Sequence, residues 1–210
     1  MPADGPLAIH IHHLDMDGLV EKAFEKASAD SEKQNVSGLK PIVKARIKEK
    51  TRLRTASNYI IWSLSRLHRS IPPSSEISPF YADLLEILGA GGLQDARREI
   101  GRAIGDIKRL SSTSLSKMDR AHTPADLHAI RKKAYGRISS RVRSLARTSR
   151  YLAEVGPKLG ELPSIKLELP TLVIAGYPNV GKTTLLRALT GSAPEIRPIP
   201  FTTQKIHVGY

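Results

Sequence analysis

Residues 171–183 read Thr171-Leu172-Val173-Ile174-Ala175-Gly176-Tyr177-Pro178-Asn179-Val180-Gly181-Lys182-Thr183. The first five form a continuous β-branched and apolar run, which predicts a strand buried on both faces of a parallel sheet. The next eight match the pattern G-x-x-x-x-G-K-[ST] of a phosphate-binding loop. Leu185, Leu186 and Leu189 then give the following segment one apolar side, and Gly191 ends it. Strand, loop and helix in this order open a P-loop α/β domain. Gly176 is expected to let the chain turn off the strand, and Gly181 brings no side chain to hold phosphates away. The N–H groups between Asn179 and Thr183 can converge on a β-phosphate at the positive end of the helix. Lys182 would reach the β and γ oxygens, and the Thr183 hydroxyl would hold Mg²⁺. Tyr177, Pro178, Val180 and Thr184 complete the candidate nucleotide contacts.

Upstream of the linker 161–170 the texture is helical. A short amphipathic helix is expected from Asp17 to about Ala29 (Leu19, Val20, Ala23, Phe24, Ala27). A second is expected from Pro41 to about Arg69, with an apolar stripe at Leu53, Ala56, Ile60, Leu64 and Leu67. Its first half carries Lys44, Arg46, Lys48, Lys50, Arg52 and Arg54 around the axis, with Glu49 the only acid. Ser78-Pro79 opens a short helix through Phe80, Leu84 and Leu88, ended by Gly89-Ala90-Gly91-Gly92. Leu93 to about Lys117 spaces Leu93, Ala96, Ile100, Ala103, Ile107, Leu110 and Ser114 by threes and fours, as a bundle helix does. Gly101 and Gly105 within it either weaken the helix or allow close packing. Thr123-Pro124-Ala125-Asp126 starts one long helix to about Val155, burying Leu127, Ile130, Ala134, Ile138, Val142, Leu145 and Leu152.

Charge carries the next signal. The formal excess is +13, and only +3 of it lies from Pro170 onward, leaving +10 for the helical part. Lys132, Lys133, Arg137, Arg143, Arg147 and Arg150 fall mostly opposite the apolar side of the last helix, where only Asp126 and Glu154 oppose them. A solvated face usually mixes signs to form i,i+4 pairs. This one favours contact with phosphates over a plain solvated surface, with Lys132, Lys133, Arg137, Arg143 and Arg147 as candidate RNA-binding residues. Cysteine is absent, which removes disulfides and thiolate chemistry. No apolar run of about 18 residues exists to span a membrane, so a cytoplasmic protein is expected. His10, His12 and His13 read as an exposed terminal segment, and Tyr59 and Trp62 as bundle packing rather than base stacking.

A wider set of residues points to one family. Ile130-Arg131-Lys132-Lys133-Ala134-Tyr135-Gly136-Arg137, Leu162-Pro163-Ser164-Ile165, the loop itself, Pro200-Phe201-Thr202-Thr203 and Val208-Gly209-Tyr210 together resemble the nucleolar GTP-binding protein (Nog) family. That family lies within the Obg branch of P-loop GTPases, which Pro178-Asn179 and Phe201-Thr202-Thr203 resemble as a whole. Phe80-Tyr81-Ala82-Asp83-Leu84 and the helical part resemble this family in particular. The resemblance covers nearly the whole chain, is weakest before about residue 40, and suits an archaeal member.

The resemblance implies a GTPase that assists assembly of the large ribosomal subunit, with GTP and Mg²⁺ as ligands and ribosomal RNA of the subunit precursor as partner. By motif position Thr203 would be the switch threonine meeting Mg²⁺ and the γ-phosphate, with Thr202 beside it. Lys182 and Thr203 are then the candidate catalytic residues, and Thr183 and Thr203 the metal ligands. Asn179 matches an asparagine that supports K⁺-stimulated hydrolysis in related GTPases; a structural role in capping the turn is an equal reading.

The expected fold class is multi-domain, α plus α/β: a basic helical bundle over 1–160, the linker, and the start of a P-loop GTPase domain over 171–210. The Asp-x-x-Gly and Asn-Lys-x-Asp motifs would lie past Tyr210, so guanine specificity rests on the resemblance alone. The chain accordingly reads as part of a longer protein. The 210 residues by themselves are expected to bind nucleotide weakly, and micromolar or tighter GTP binding in calorimetry would overturn that expectation. A second reading stays open, a helical RNA-binding module with an inert loop region. A basic helix protein at a membrane surface is a distant third.

Overall fold

A computed structural model describes residues 14–87, 89–160, 169, 171–190, 195–198 and 205–208. The elements are α1 (Met16–Glu32), α2 (Pro41–Arg69), a 3₁₀ turn (Ser74–Glu76), α3 (Pro79–Ile87), α4 (Leu93–Asp119), α5 (Pro124–Arg143), α6 (Ala146–Gly160), α7 (Lys182–Thr190), β1 (Glu195–Pro198) and β2 (Lys205–Val208). The described residues divide into two compact units, one within Ile11–Glu76 and Gly92–Ala153, the other within Ile77–Gly91 and Glu154–Tyr210.

The first unit is a bundle of α1, α2, α4 and α5, in which α2 packs against the other three. Its core is the α2 stripe Leu53, Ala56, Ile60, Leu64 and Leu67, with Leu19, Val20, Ala23 and Ala27 of α1, Ile100, Ala103 and Ile107 of α4, and Ala134, Ile138 and Val142 of α5. Fully burying each large aliphatic side chain stabilises the fold by roughly 1.5–3 kcal/mol. Helix starts follow local chemistry. Asp15 caps α1 by accepting from the N–H groups of Asp17 and Gly18, both at 3.1 Å. Thr123 and Asp126 form a reciprocal capping box at α5, with Pro124 in its first turn.

Much of the charge along the first half of α2 is engaged inside this bundle. Arg46 donates to the Ala121 carbonyl at 2.7 Å and Lys50 pairs with Asp119 at 2.7 Å. Arg52 donates to Glu49 and to the Ser31 hydroxyl. Glu49 also accepts from Arg131 of α5, whose guanidinium lies over the Tyr135 ring. Tyr135 stacks on Phe24 and donates to the Arg52 carbonyl at 3.0 Å; burial pushes its hydroxyl up to about 12.

Several expectations need correction. The stripe of α4 continues past Ile107 through Ser111 and Met118, while Leu110 and Ser114 are only partly covered. A strict seven-residue spacing drifts by about 20° per heptad on a straight helix, so the buried position moves on by one residue. The helix expected from Thr123 to Val155 is two helices broken at Ser144 and Leu145. The Ser144 hydroxyl donates to the Arg141 carbonyl at 2.8 Å, and the Leu145 N–H bonds Val142 rather than the residue four back. The second helix then continues to Gly160 with Pro157 inside it, past the point where the pattern predicts its end. In the other unit, α3 buries Tyr81 and Leu85 rather than Phe80 or Leu84; Leu88 lies outside the described residues.

The two glycines of α4 separate cleanly. A Cβ on Gly101 would sit 3.3 Å from His68 Nε2, whereas one on Gly105 would meet nothing within 4 Å. Gly105→Ala is therefore expected to stabilise the bundle by about 0.5–1 kcal/mol through helix propensity. Gly101→Ala should gain less because His68 must give way. Paired urea denaturation curves measure both, and equal gains at the two positions would contradict the packing.

Candidate phosphate-binding loop and basic helical face

Residues 171–176 run without forming a strand, and Leu172 and Val173 are 73% and 81% exposed. The buried parallel strand expected here is thus absent from the described residues, whose only sheet pairs β1 with β2, antiparallel, Glu195 opposite Val208. The physical reason is hydrogen bonding. A two-sided buried strand exists only where neighbouring strands satisfy its backbone and helices cover both faces, and no described segment does either for 171–175.

The loop has its own shape nonetheless. The chain turns through residues 177–180 and enters α7 at Lys182. Asn179 has φ 63° and Gly181 φ 88°. Both lie in the left-handed region, which glycine enters freely and asparagine more readily than most side chains. Gly176 takes no positive φ, and a Cβ on it would meet Val180 Cγ2 at an ordinary 3.5 Å. The Leu185 N–H donates to the Gly181 carbonyl at 2.9 Å as the first helical bond. The N–H groups of Lys182, Thr183 and Thr184 precede it, at the helix end that favours anions. The Lys182 ammonium donates to the Tyr177 carbonyl at 2.5 Å. Thr183 and Thr184 are exposed at the first turn of α7, and Tyr177, Pro178 and Val180 are exposed around the turn.

The residue types fit a polyphosphate: left-handed Asn179 and Gly181, free N–H groups at a helix start, and the Lys182 ammonium lie within one short stretch. Thr183, exposed in the first turn of α7, carries a hydroxyl of the kind that would hold a magnesium ion bound with the phosphates. Thr203, the second candidate metal ligand, lies outside the described residues. No cluster of three or more His, Asp or Glu able to hold a metal occurs among the described residues.

On the helical bundle, Lys132, Lys133, Arg137 and Arg143 of α5 and Arg147 of α6 are all exposed. Arg143 pairs with Asp17 at 2.7 Å, both side chains open to water, so its charge is locally balanced. Lys132, Lys133, Arg137 and Arg147 form no ion pair among the described residues. The two remaining arginines of α5, Arg131 and Arg141, pair with Glu49 and Asp106. An open cleft of about 600 Å³ between α4 and α5 is lined by Asp106, Arg109, Arg137, Ser140 and Arg141. Arg109 joins this surface from α4, a contribution that the α5 pattern alone does not reveal. It is paired with Asp106 three residues earlier, so its charge, like that of Arg143, is locally balanced.

Residues 14–166 match the family model described as the NOG1 N-terminal helical domain. The chain belongs to the nucleolar GTP-binding protein (NOG1) family. Residues 171–210 match a second model, described as a 50S ribosome-binding GTPase. The NOG1 relatives include nucleolar GTP-binding protein 1 of Encephalitozoon cuniculi, 31% identical over 170 residues, 80% of this chain and 32% of that protein. The corresponding protein of Saccharomyces cerevisiae is 29% identical over 143 residues, 68% of this chain and 22% of its own length. An uncharacterised protein of Methanocaldococcus jannaschii is 34% identical over 197 residues, 92% of this chain. The chain spans 55% of the length of that relative. The bundle thus falls within the first of these family matches and the loop within the second. No helix among the described residues is long and apolar enough to cross a membrane.

Proposed function

We propose that this chain belongs to a GTPase that assists large ribosomal subunit assembly in the cytoplasm, its helical bundle holding ribosomal RNA. In this reading residues 171–210 begin an α/β GTPase domain, and 161–170 link it to the helical domain. Lys182 would bind the β- and γ-phosphates, and Thr183 would hold Mg²⁺. Thr203 would close on the metal and γ-phosphate as a switch. The Asn179 side chain is available to a K⁺ ion at the same phosphates. Catalysis would be positioning and charge stabilisation while phosphate passes to water. Nucleotide state would then time binding to, or release from, the subunit precursor.

The observation that carries the RNA part is the unbalanced cationic surface of Lys132, Lys133, Arg137 and Arg147. Replacing these four by alanine is expected to weaken RNA binding at least tenfold near 0.1 M salt. The slope of log affinity against log salt should flatten by up to about 3.5, at roughly 0.7–0.9 for each phosphate no longer neutralised. Filter binding across a salt series measures both, and an unchanged affinity and slope would reject the basic-face assignment.

The exposed Leu172 and Val173 favour a second reading for these 210 residues taken alone, an RNA-binding helical module with no working nucleotide site. Calorimetry with Mg·GTP tests this second reading: these 210 residues are then expected to bind more weakly than micromolar, and micromolar or tighter binding rejects it.

A further inference from the structure

The sequence pattern assigns Tyr59 and Trp62 to bundle packing, and for Trp62 the structure disagrees. Ile60 and Leu64 on either side of it are fully buried, whereas Trp62 is 54% exposed. It stands on the solvent side of α2 in a strip of residues spaced by fours and threes, Arg54, Asn58, Trp62, Arg66 and Arg69, all of them exposed. The Arg66 guanidinium lies 4.9 Å from the Trp62 ring centre, and the Tyr59 ring packs at 6.4 Å, tilted by 33°. No acid follows Glu49 in α2, and Arg54, Arg66 and Arg69 form no ion pair among the described residues. Arg46, Lys50 and Arg52 of the same helix are instead bound within the bundle.

About half of the Trp62 ring is open to water, on a strip that is otherwise polar and cationic. Aromatic rings flanked by guanidinium groups suit unpaired nucleobases: the indole offers a face for stacking, and neighbouring arginines take the adjoining phosphates. Duplex RNA offers such a ring little, because its bases are already stacked on one another. A protein partner could also cover a tryptophan, but an acid-free strip with three arginines that form no ion pair among the described residues is complementary to a polyanion.

We propose that Trp62, supported by Tyr59 and Arg66, is a stacking site for an unpaired base of single-stranded RNA, with Arg54 and Arg69 contacting the flanking phosphates. The proposal rests on the reading of the bundle as RNA-binding, and it adds a second contact surface, on α2, with a preference for single strands.

Because Trp62 is the only tryptophan, its intrinsic fluorescence reports on this site alone. The 210-residue chain would be titrated with an unstructured RNA oligonucleotide and with a duplex of equal length. Quenching that saturates with the single strand and is much weaker with the duplex is expected. Trp62→Leu should lower single-strand affinity roughly 5- to 100-fold, as loss of one stacked base does, while Trp62→Phe retains most of it. Circular dichroism checks that both variants fold. Absence of quenching in the unmodified chain, or equal single-strand affinity for Trp62→Leu, overturns the proposal. If single-strand affinity then still falls on alanine substitution of Lys132, Lys133, Arg137 and Arg147, RNA binding stands and only stacking fails. If neither RNA binds the unmodified chain, the RNA reading itself fails. Fluorescence that responds to ribosomal proteins but not to RNA would assign the strip to a protein and also overturn it.

Discussion

Glu49→Ala is expected to lower the stability of the helical bundle by about 3 kcal/mol, more than any other charged-to-alanine change in it. Glu49 is the single acid of α2 and its carboxylate side chain is only 10% exposed. It accepts from Arg52 on its own helix and from Arg131 on α5, whose side chains are 28% and 15% exposed. Removing the carboxylate leaves two arginines without their counter-charge, in a place where water reaches them poorly. Arg131 keeps its contacts with the Tyr135 ring and His128 Nδ1, but neither replaces a negative charge. The loss should therefore exceed the roughly 0–1 kcal/mol of an exposed pair such as Arg143–Asp17. Adding Arg131→Met to Glu49→Ala should recover part of the loss, because a buried charge without a partner costs more than an apolar replacement. Urea denaturation followed by circular dichroism gives the three values. A loss below about 1 kcal/mol for Glu49→Ala, or no recovery in the double variant, would show that the pair is not buried as described.

The second large effect sits further along the same helix. Ile60→Ala is expected to cost about 3–4 kcal/mol, combining lost burial with the cavity left at the centre of α2. Its side chain is fully enclosed where α2 meets its three neighbours. Two positions later, Trp62→Ala removes a far larger side chain yet should cost less, about 1–2 kcal/mol. What disappears there is a half-exposed ring, its cation–π contact with Arg66 and its packing against Tyr59. Measuring both in parallel tests the rotational phase of α2. If the larger truncation were the more damaging, Trp62 would be a core residue and the helix would be turned differently.

Such contrasts show why parts of the molecule are legible in the sequence and others are not. Pro41 and the stripe from Leu53 to Leu67 predict the limits and buried face of α2 correctly, because start signal, periodicity and stop signal agree. Trp62 escapes that pattern because bulk and hydropathy argue for burial whichever way the helix faces. The break at Ser144 is hidden because Leu145 and Leu152 preserve the apolar rhythm across it, and its local mark is a single N–H of Leu145 that bonds Val142 instead of the residue four back. At 171–175 the pattern describes a strand faithfully in composition, yet strand formation depends on neighbours that composition does not supply. Within the loop, the glycine pattern points to the turn, but the left-handed backbone at Asn179 depends on geometry alone. Among the cations, sequence separates Arg131 and Arg141 from the outward set, but it does not show that Arg143 is matched by Asp17.

The bond from Lys182 Nζ to the Tyr177 carbonyl has a consequence for how tightly any phosphate can be held. That carbonyl is a placeholder: it occupies the ammonium's donor in the direction of the loop's own backbone. An incoming phosphate oxygen does not meet an idle cation, since it must share or replace this bond. Part of the enthalpy from the new bond is offset by the one given up, as it is whenever one hydrogen bond is exchanged for another. The compensation is order, because the lysine's long side chain is already confined near its working position and loses less freedom on binding. The strength of the new bond by itself would therefore overstate this lysine's share of the affinity.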